Sequence, residues 1–596
     1  MIPVSAEWNA AIREQFRYQG YLEVTIEVTP PGLHENLNTA TAATETVSND
    51  STLTDGKRVF PTPYITLEKG RWLLNKKYKA LPISAKTDDW WSTPMTQGSK
   101  ELTFTFDQAY TIPGLYIEWD VLNGSYPTQL TVDGYSVDET KQYSFDVTSI
   151  NSATGFIDAP MDNVKKVVMT ISSWSRETWR VRINEILFGL FAKYDSINNG
   201  RVMSATSIDY SHPLSKELPV HSLQVSLRNL DQEFDPSLQR GIAKYLANRQ
   251  LVKCRWGFVT SYGNLEWTPE LFYYMDTFSV PADQRNVTLE ATSRLSLLTE
   301  KLANVSYDAT ERTFYDIALS ALSSSKIIKD DNAQVPYELS DELKNFHTNA
   351  PIPDESVNVI LQYLAQASCL KLFTNPINGF VKLASSAKEI VQSVDLTQEQ
   401  GDPEVEIQRT IKTISIGVYS YTKDTEQGKI EIANSSLTHN GKKTVSLSYN
   451  CAYAVEVSCQ ISGATLVNFT PYSNHATVEF NTGGVEKEVS IVLSGYEVKK
   501  NQTYIETYNN VNLSTGMDVT IDNPFITNTE KLQVLTDWLV SWYSKPQQLQ
   551  VPYLGYPEVT AGDALSLNTI YGSNEVDTIK NTIDFNGGFN GTLEVR

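Results

Sequence analysis

Residues 523–596 constrain the fold more than any other stretch, because they combine one amphipathic helical pattern with several short strands. Apolar side chains recur at spacings of three and four, which predicts a helix whose buried stripe consists of Leu532, Leu535, Trp538, Leu539 and Trp542. Strands are predicted at 548–553, 564–568 and 578–585, with turns marked by glycine and proline between them. The sequence stops at Arg596 on a final strand that follows the glycine turn at 587–588, so we expect no catalytic appendage after it.

Size and composition indicate an acidic protein of several domains. At 596 residues we expect three to five domains, since one hydrophobic core rarely grows past about 250–300 residues. The net charge of −21 argues against a nucleic-acid groove, which needs clustered lysine and arginine. Four cysteines without a CxxC pair predict reduced thiols. Without a signal-peptide pattern or an apolar run of about 18 residues, we expect a soluble protein that folds in a cytoplasm.

The first half of the chain predicts a β domain that is interrupted by a second one. A helical pattern and an alternating strand open the chain, and a linker without apolar pattern is predicted over 30–56. Regularly spaced strands then predict a β jelly-roll or sandwich over 57–190. Strand-like sequence resumes afterwards, so we predict that residues 1–29 and 191–300 form one discontinuous domain around this insertion.

The second half predicts an α+β domain followed by more β structure. Helical patterns at 313–322 and 356–368 precede an Asn-Gly hairpin, and together they predict a connecting α+β domain over 301–403. Residues 404–519 again alternate as strands, and the helix and strands of 520–596 close the chain. The predicted fold class is therefore mainly β and multidomain.

No recognisable motif for catalysis or metal binding is present in the sequence. None of the six histidines has a second histidine, a cysteine or a carboxylate at ligand spacing, and there is no phosphate-binding loop or nucleophile elbow. The acidic clusters 330–331 and 395–402 lack the alternating spacing of a calcium loop. A glycosidase-like carboxylate pair stays open, because carboxylates are numerous. We predict no catalytic residue, no metal ligand and no cofactor.

Four tryptophans in two aromatic-rich segments of the insertion are the candidate contact residues: Trp90, Trp91, Trp174 and Trp179. Exposed tryptophans stack on the C–H faces of sugar rings, which predicts glycan contacts or docking contacts. The alternative interpretation is that they plug the ends of the jelly-roll core, and the sequence favours it.

Several segments, in this order, resemble the tail hub (baseplate hub or tail-tip) proteins of tailed bacteriophages. LRNLDQEFDPSLQRGIAKYLANRQLVKCRWGF (227–258) and VTLEATSRLSLL (287–298) resemble the first hub barrel of that family. The helix pair with its hairpin resembles the connecting domain, and NPFIT…DWLVSWYS…VPYLGYPEVTAGDALSL…NGGFNGTLEV resembles the closing barrel. In the insertion, YITLEKGRWLLN, WWST and ISSWSRETWRVRINEILFG resemble a discoidin-like jelly-roll domain.

This resemblance implies a fold with two tube-forming β-barrel hub domains, the second built from 404–519 and 520–596, with the jelly-roll inserted in the first. It implies a structural, non-enzymatic virion protein at the phage tail tip, assembled in the host bacterial cytoplasm. The expected assembly is a homotrimer whose six barrels match a hexameric tail tube and line or close the DNA channel, with an acidic lumen that repels DNA.

The expected partners are tail tube and distal tail proteins, tail fibre or receptor-binding proteins and the tape-measure protein, and we expect no sequence-specific binding of nucleic acid. The jelly-roll is expected to dock neighbouring tail proteins or to bind host cell-surface glycan, and docking is favoured. The alternatives are a carbohydrate-binding adhesion protein that acts through the jelly-roll and, with less support, a cell-wall glycan hydrolase.

Overall fold

A computed structural model shows a mainly β protein built from several sheets. None of the helices in the described part of the chain is long and apolar enough to cross a membrane. The structure describes residues 1–30 except 15, residues 33, 37–42, 64–67 and 71–74, and residues 90–596 apart from 96–97, 121–122, 149, 177, 179, 199, 213, 231, 233, 236–241, 261–262, 282–284, 301–309, 326–336, 386–389, 395–399, 546 and 570–571.

The chain begins with a short helix and a long strand, as the sequence predicts. Helix α1 (Ala6–Ala11) starts where the Ser5 hydroxyl accepts a hydrogen bond from the Trp8 amide at 2.9 Å. Strand β1 (Gly20–Val28) alternates, so that Leu22, Val24, Ile26 and Val28 are fully buried on one face.

The insertion is an antiparallel β-sandwich. Its sheets have the orders β10-β7-β12-β5 and β2-β6-β11-β8-β9, and they enclose a core that is rich in Phe, Ile and Val. Strand β2 lies within the 30–56 segment that the sequence predicts as a linker, where it pairs with β6. The strands are β2 (Leu37–Ala42), the hairpin β3 (Tyr64–Leu67) and β4 (Arg71–Leu74), β5 (Trp90–Pro94), β6 (Lys100–Ile112), β7 (Leu115–Trp119), β8 (Pro127–Tyr135), β9 (Lys141–Val147), β10 (Thr154–Ile157), β11 (Met161–Trp174) and β12 (Arg180–Leu187).

After the insertion the chain returns to β1 and completes a curled antiparallel sheet, here called the first barrel. Its order is β13-β1-β16-β18-β19-β15-β14, with β17 added beside β16. Its further elements are β13 (Leu190–Asp195), β14 (Val202–Tyr210), β15 (Val220–Arg228), the 3-10 turn Ile242–Tyr245, β16 (Leu251–Val259), β17 (Leu265–Trp267), β18 (Leu271–Ser279), β19 (Asn286–Thr292) and α2 (Arg294–Leu297).

The predicted connecting segment contains two helices and short strands. The helices pack on each other and bury Ile317, Ala321, Ile360 and Leu364. The elements are β20 (Arg312–Thr313), α3 (Phe314–Ser324), β21 (Tyr337–Leu339), the 3-10 turn Asp341–Asn345, β22 (His347–Thr348), α4 (Val357–Ala367), β23 (Lys371–Thr374), β24 (Val381–Ala384) and β25 (Ile390–Val394).

The next strands form two sheets of their own, apart from β26, which pairs with a strand near the C-terminus. One sheet has the order β28-β33-β27-β34 with β30 beside β33, and the other has the order β29-β32-β31. The strands are β26 (Glu404–Ile407), β27 (Ile411–Lys423), β28 (Ile430–His439), β29 (Lys442–Ser448), β30 (Ala454–Ser462), β31 (Thr465–Pro471), β32 (His475–Asn481), β33 (Lys487–Asn509) and β34 (Met517–Asp522).

The closing segment has the helix and strands that its pattern predicts. Of the predicted stripe, Trp538 is half-buried and the other four side chains are buried. Strands β37 and β38 form a hairpin, β35 pairs with β38, and β36 pairs with the first half of β37. The elements are α5 (Leu532–Tyr543), β35 (Gln547–Tyr553), β36 (Ala564–Thr569), β37 (Gly572–Phe585) and β38 (Phe589–Val595).

The closing strands join the first barrel in one continuous sheet of 14 strands. The joint is the antiparallel pairing of β14 with β37. We call strands β25, β26 and β35 to β38 the second barrel, a label for this part of the curled sheet. A single hydrophobic core runs through both barrels and includes Val24 and Trp256 from the first with Val551 and Leu593 from the second. The two barrels therefore fold as one packed unit.

Candidate functional site

The junction between the two barrels brings together aromatic and polar side chains from distant parts of the chain. Its frame is the ladder between β14 and β37, which runs from Ala205 opposite Phe585 to Tyr210 opposite Lys580. Because both strands are edges that would otherwise expose unpaired backbone groups, their pairing conceals two edges within one chain.

An aromatic cluster fills the junction from the inside. The Phe589 ring lies 5.7 Å from Trp256 and 6.1 Å from Phe258, measured between centroids, and Phe585 lies 6.0 Å from Phe589. Gly20 faces this cluster, and a Cβ atom there would stand 2.9 Å from the Phe589 ring. The turn between β37 and β38 thus inserts its aromatic side chains into the first barrel at a position where only glycine fits without a shift.

The N-terminal segment ties the first barrel to the second. The Met1 amine forms a 2.8 Å ion pair with Asp563, and the Ile2 amide donates to the Glu558 carbonyl at 2.8 Å. The Trp8 indole Nε1 donates to the Glu558 carboxylate at 3.3 Å, and Glu558 is fully buried. Burying a carboxylate is costly unless hydrogen bonds compensate for lost water. The N-terminal segment therefore supplies a hydrogen bond that compensates for the burial of the Glu558 side chain.

Arg17 makes a second tie. Its Nη1 donates to the carbonyl oxygens of Leu554 at 2.5 Å and Gly555 at 3.0 Å, and its guanidinium lies 5.1 Å from the centre of the Tyr556 ring. Burial lowers the pKa of Arg17 below its ordinary value, while the nearby Tyr556 and Glu558 oppose that shift. The chain before β1 is consequently held against the β35–β36 connection.

A buried asparagine orders the same connection. Asn581 accepts a hydrogen bond from the Tyr553 hydroxyl at 2.8 Å and donates to the carbonyls of Tyr556 at 3.2 Å and Val559 at 2.8 Å. Burial raises the pKa of Tyr553 well above its ordinary value, which keeps its hydroxyl protonated as a donor. This network fixes the loop that Arg17 and the N-terminus contact.

An acid and a histidine flank the ladder on the first-barrel side. Asp209 accepts a hydrogen bond from the Ala561 amide at 2.8 Å, and its other oxygen lies 3.6 Å from Nδ1 of His221. The His221 ring stacks on Tyr273 with centroids 4.5 Å apart. These contacts position the closing segment over β14 and β15. One Asp209 oxygen thus holds the closing backbone, while the buried His221 ring faces the other oxygen and Tyr273.

Large apolar side chains are exposed at several separate places on the two barrels. Phe16 is 87% exposed and Tyr18 is 55% exposed on either side of the anchored Arg17. Leu230 at 71% and Ile407 at 74% follow β15 and end β26. Aromatic and aliphatic side chains held outward by a rigid frame are typical anchors of protein interfaces. Among the described residues, no group of three or more His, Cys, Asp or Glu side chains is placed to hold a metal ion.

The structure places the four predicted contact tryptophans in different settings. Trp90 and Trp91 lie in β5, opposite Ile183 and Arg182 of β12, and their side chains are outside the described set. Trp174 is 2% exposed and packs edge-on against Trp119 at 5.8 Å. Trp179 lies outside the described residues.

Sequence reasoning missed the polar residues of the junction, above all Arg17, Asp209, Glu558 and Asn581. Their partners are hundreds of positions away along the chain, as with the 550 positions that separate Trp8 from Glu558. Nothing in the local pattern marks them. The one available signal is Arg17 itself, a charge between two aromatic residues directly before a strand.

Comparison with known proteins gives structural likeness at low identity. No family model matches the chain, and no curated protein matches it. The 43 kDa tail protein of prophage MuSo2 from Shewanella oneidensis is 9% identical, with 68% of this chain and 94% of that chain covered at a TM-score of 0.36. A tail protein from Neisseria meningitidis is 8% identical, with 66% and 92% covered at a TM-score of 0.35. A chitosan-binding module from a Paenibacillus chitosanase/glucanase is 13% identical, with 27% and 98% covered at a TM-score of 0.17.

Proposed function

We propose that this protein is a structural, non-enzymatic subunit of a bacteriophage tail, and that three copies form the hub at its distal end. The observation that carries the proposal is the continuous sheet of 14 strands, in which one chain supplies two barrels joined edge to edge. Three such chains supply six barrels, the number needed to match a hexameric tube. The sequence resemblance to tail hub proteins supports the same reading.

The surface of the barrels supports assembly. Exposed aromatic and aliphatic side chains are frequent anchors of protein interfaces, and single ones also occur on ordinary surfaces. Phe16, Leu230 and Ile407 are each more than two-thirds exposed on or beside barrel strands. Contacts between barrels of neighbouring copies, or with a tail ring above them, would remove these side chains from water. The partners in this proposal are tail tube, distal tail, fibre or receptor-binding and tape-measure proteins, within the virion.

The sandwich serves in this proposal as a docking module on the outside of the hub. Trp174 supports its core, so contact with neighbouring tail proteins or with host glycan falls to Trp90, Trp91 and Trp179. Glycan-array binding by the purified protein, lost on Trp91→Ala with an unchanged melting temperature, would favour sugar recognition over docking. The matched control is Phe156→Ala, which removes an exposed aromatic ring from another strand of the sandwich.

The oligomeric mass tests the hub proposal. The purified full-length protein is expected to have three times the chain mass of 66.8 kDa in light scattering at micromolar concentration. Phe16→Asp introduces a charge at an exposed aromatic position and is expected to lower that mass while the circular dichroism spectrum stays the same. A stable monomer or a twofold dimer for the unaltered protein contradicts the proposal.

A further inference from the structure

Among the residues that the structure describes, one long strand has no partner along half of one edge. Strand β33 has 23 residues, and β28 and β30 flank its first half as far as Glu497. From residue 498 to residue 509 its recorded partner is β27, on one side. Residues 499–504 are all exposed. Alternate backbone N–H and C=O groups of this stretch point away from β27, so they form a template for a further strand.

The open edge of β33 is locally basic in an acidic protein. Lys499 and Lys500 are adjacent, and residues 498–505 contain no carboxylate, although the net charge of the chain is −21. The Lys499 ammonium pairs with the nearly buried Asp424 at 2.8 Å, while the Lys500 ammonium lies 4.5 Å from the centre of the Tyr419 ring. A strand with carboxylates on one face would therefore find a cation there.

The outermost strand of the second barrel carries acidic side chains. Strand β26 is the last on the path of the large sheet and pairs with β35 on one side. Its Glu404 and Glu406 are exposed, while Val405 packs against the common core from the edge. Ile407 is 74% exposed at its end.

The two edges are complementary in charge on one face. In a strand, alternate side chains share a face, so Glu404 and Glu406 lie together and Val405 and Ile407 lie on the other face. On β33 the same alternation puts Lys500 on one face, and it puts Lys499, whose ammonium already pairs with Asp424, on the other face with the half-buried Ile505. Pairing the strands side by side thus sets Glu404 and Glu406 beside Lys500 on one face, and Val405 and Ile407 beside Ile505 and the paired Lys499 on the other.

We infer that copies of this chain bind one another by adding β26 of one copy to the open edge of β33 in the next. The inference rests on the proposed assembly of copies and names the contact that joins them. Because the two edges are different surfaces, the contact is head-to-tail, and head-to-tail contacts close into a ring when the rotation between copies allows it. A twofold dimer, in contrast, requires one surface to meet itself.

Disulfide trapping tests this contact in the full-length protein. One preparation carries Glu406→Cys and a second carries Lys500→Cys, and the two are mixed and oxidised. The expected result is a covalent dimer on a non-reducing gel from the mixture, and a covalent trimer when both changes are in one chain. The matched control replaces Lys500→Cys with Ser446→Cys, an exposed position on β29, and is expected to give no cross-link.

Charge reversal gives an independent readout. Lys500→Glu alone is expected to lower the mass in light scattering, and Glu406→Lys in the same chain is expected to restore it, with unchanged melting temperatures in both variants. An unaltered protein that is trimeric but gives no cross-link between these cysteines overturns the edge pairing and leaves the hub proposal standing. A monomeric unaltered protein overturns both.

Discussion

Truncation of Phe589 tests whether the two barrels share one core. Phe589 is 5% exposed, its ring lies 5.7 Å from Trp256, and it packs directly over Gly20. Phe589→Ala removes a buried ring from the second barrel, but the cavity opens between residues of the first. A buried phenylalanine truncated to alanine costs about 3–5 kcal/mol, and lost aromatic pairs are part of that cost.

Hydrogen exchange is the appropriate assay, because it reports stability strand by strand. The expected result is a loss of protection of about 3 kcal/mol or more in β1 and β16 of the first barrel as well as in β38, since the cavity borders all three. Phe156→Ala is the control, because that ring is 44% exposed on the sandwich, and its expected effect is within about 0.5 kcal/mol. A loss confined to β35–β38, with β1 and β16 unchanged, would refute the shared core.

Three further predictions concern the same junction. Gly20→Ala places a Cβ atom 2.9 Å from the Phe589 ring, and we expect a destabilisation of about 1–3 kcal/mol in urea unfolding; an unchanged midpoint would contradict the close approach. Asn581→Ala leaves the buried Tyr556 and Val559 carbonyls without their donor, and we expect a loss of about 1–3 kcal/mol, with faster exchange in the β35–β36 connection; unchanged exchange there would contradict the role of Asn581. Burial lowers the pKa of His212 to about 4 from 6.5, and its Nδ1 accepts a hydrogen bond from the Leu214 amide at 3.1 Å. The unfolded state then binds the extra proton, so this contribution to stability is complete above pH 6.5 and is lost as the pH falls towards 4. His212→Gln is expected to flatten the melting temperature over that range, and an equally steep profile in the variant would contradict the assignment.

The local sequence pattern was sufficient to predict elements in which buried residues recur with a fixed period. The 3–4 spacing of Leu532, Leu535 and Leu539 predicted the buried face of α5, and the structure confirms it. The strand-like sequence that resumes after the insertion contains β14, Val202–Tyr210. The mainly β class follows from the same signals.

The sequence did not show which strands pair with each other. Buried and exposed residues alternate along a strand in the same way whichever strand lies beside it. The closing strands pair with β14 across more than 300 positions, and the strands from Ile411 to Asp522 pair with one another, whereas the sequence assigned 404–519 to the second barrel. That assignment stays a prediction for the domain as a whole, with β26 as the part that joins β35. The junction network was missed for the same reason, since Arg17 and Asn581 acquire their roles from distant backbone carbonyls.

The central claim is that one chain contributes two joined barrels to a threefold hub. Single-particle cryo-electron microscopy of the purified full-length protein tests it most directly, because copy number and barrel arrangement are seen together. The account predicts particles with threefold symmetry in which six barrels surround one axis, alternating between first and second barrels. Single copies, or pairs related by a twofold axis with their barrels apart, would contradict it.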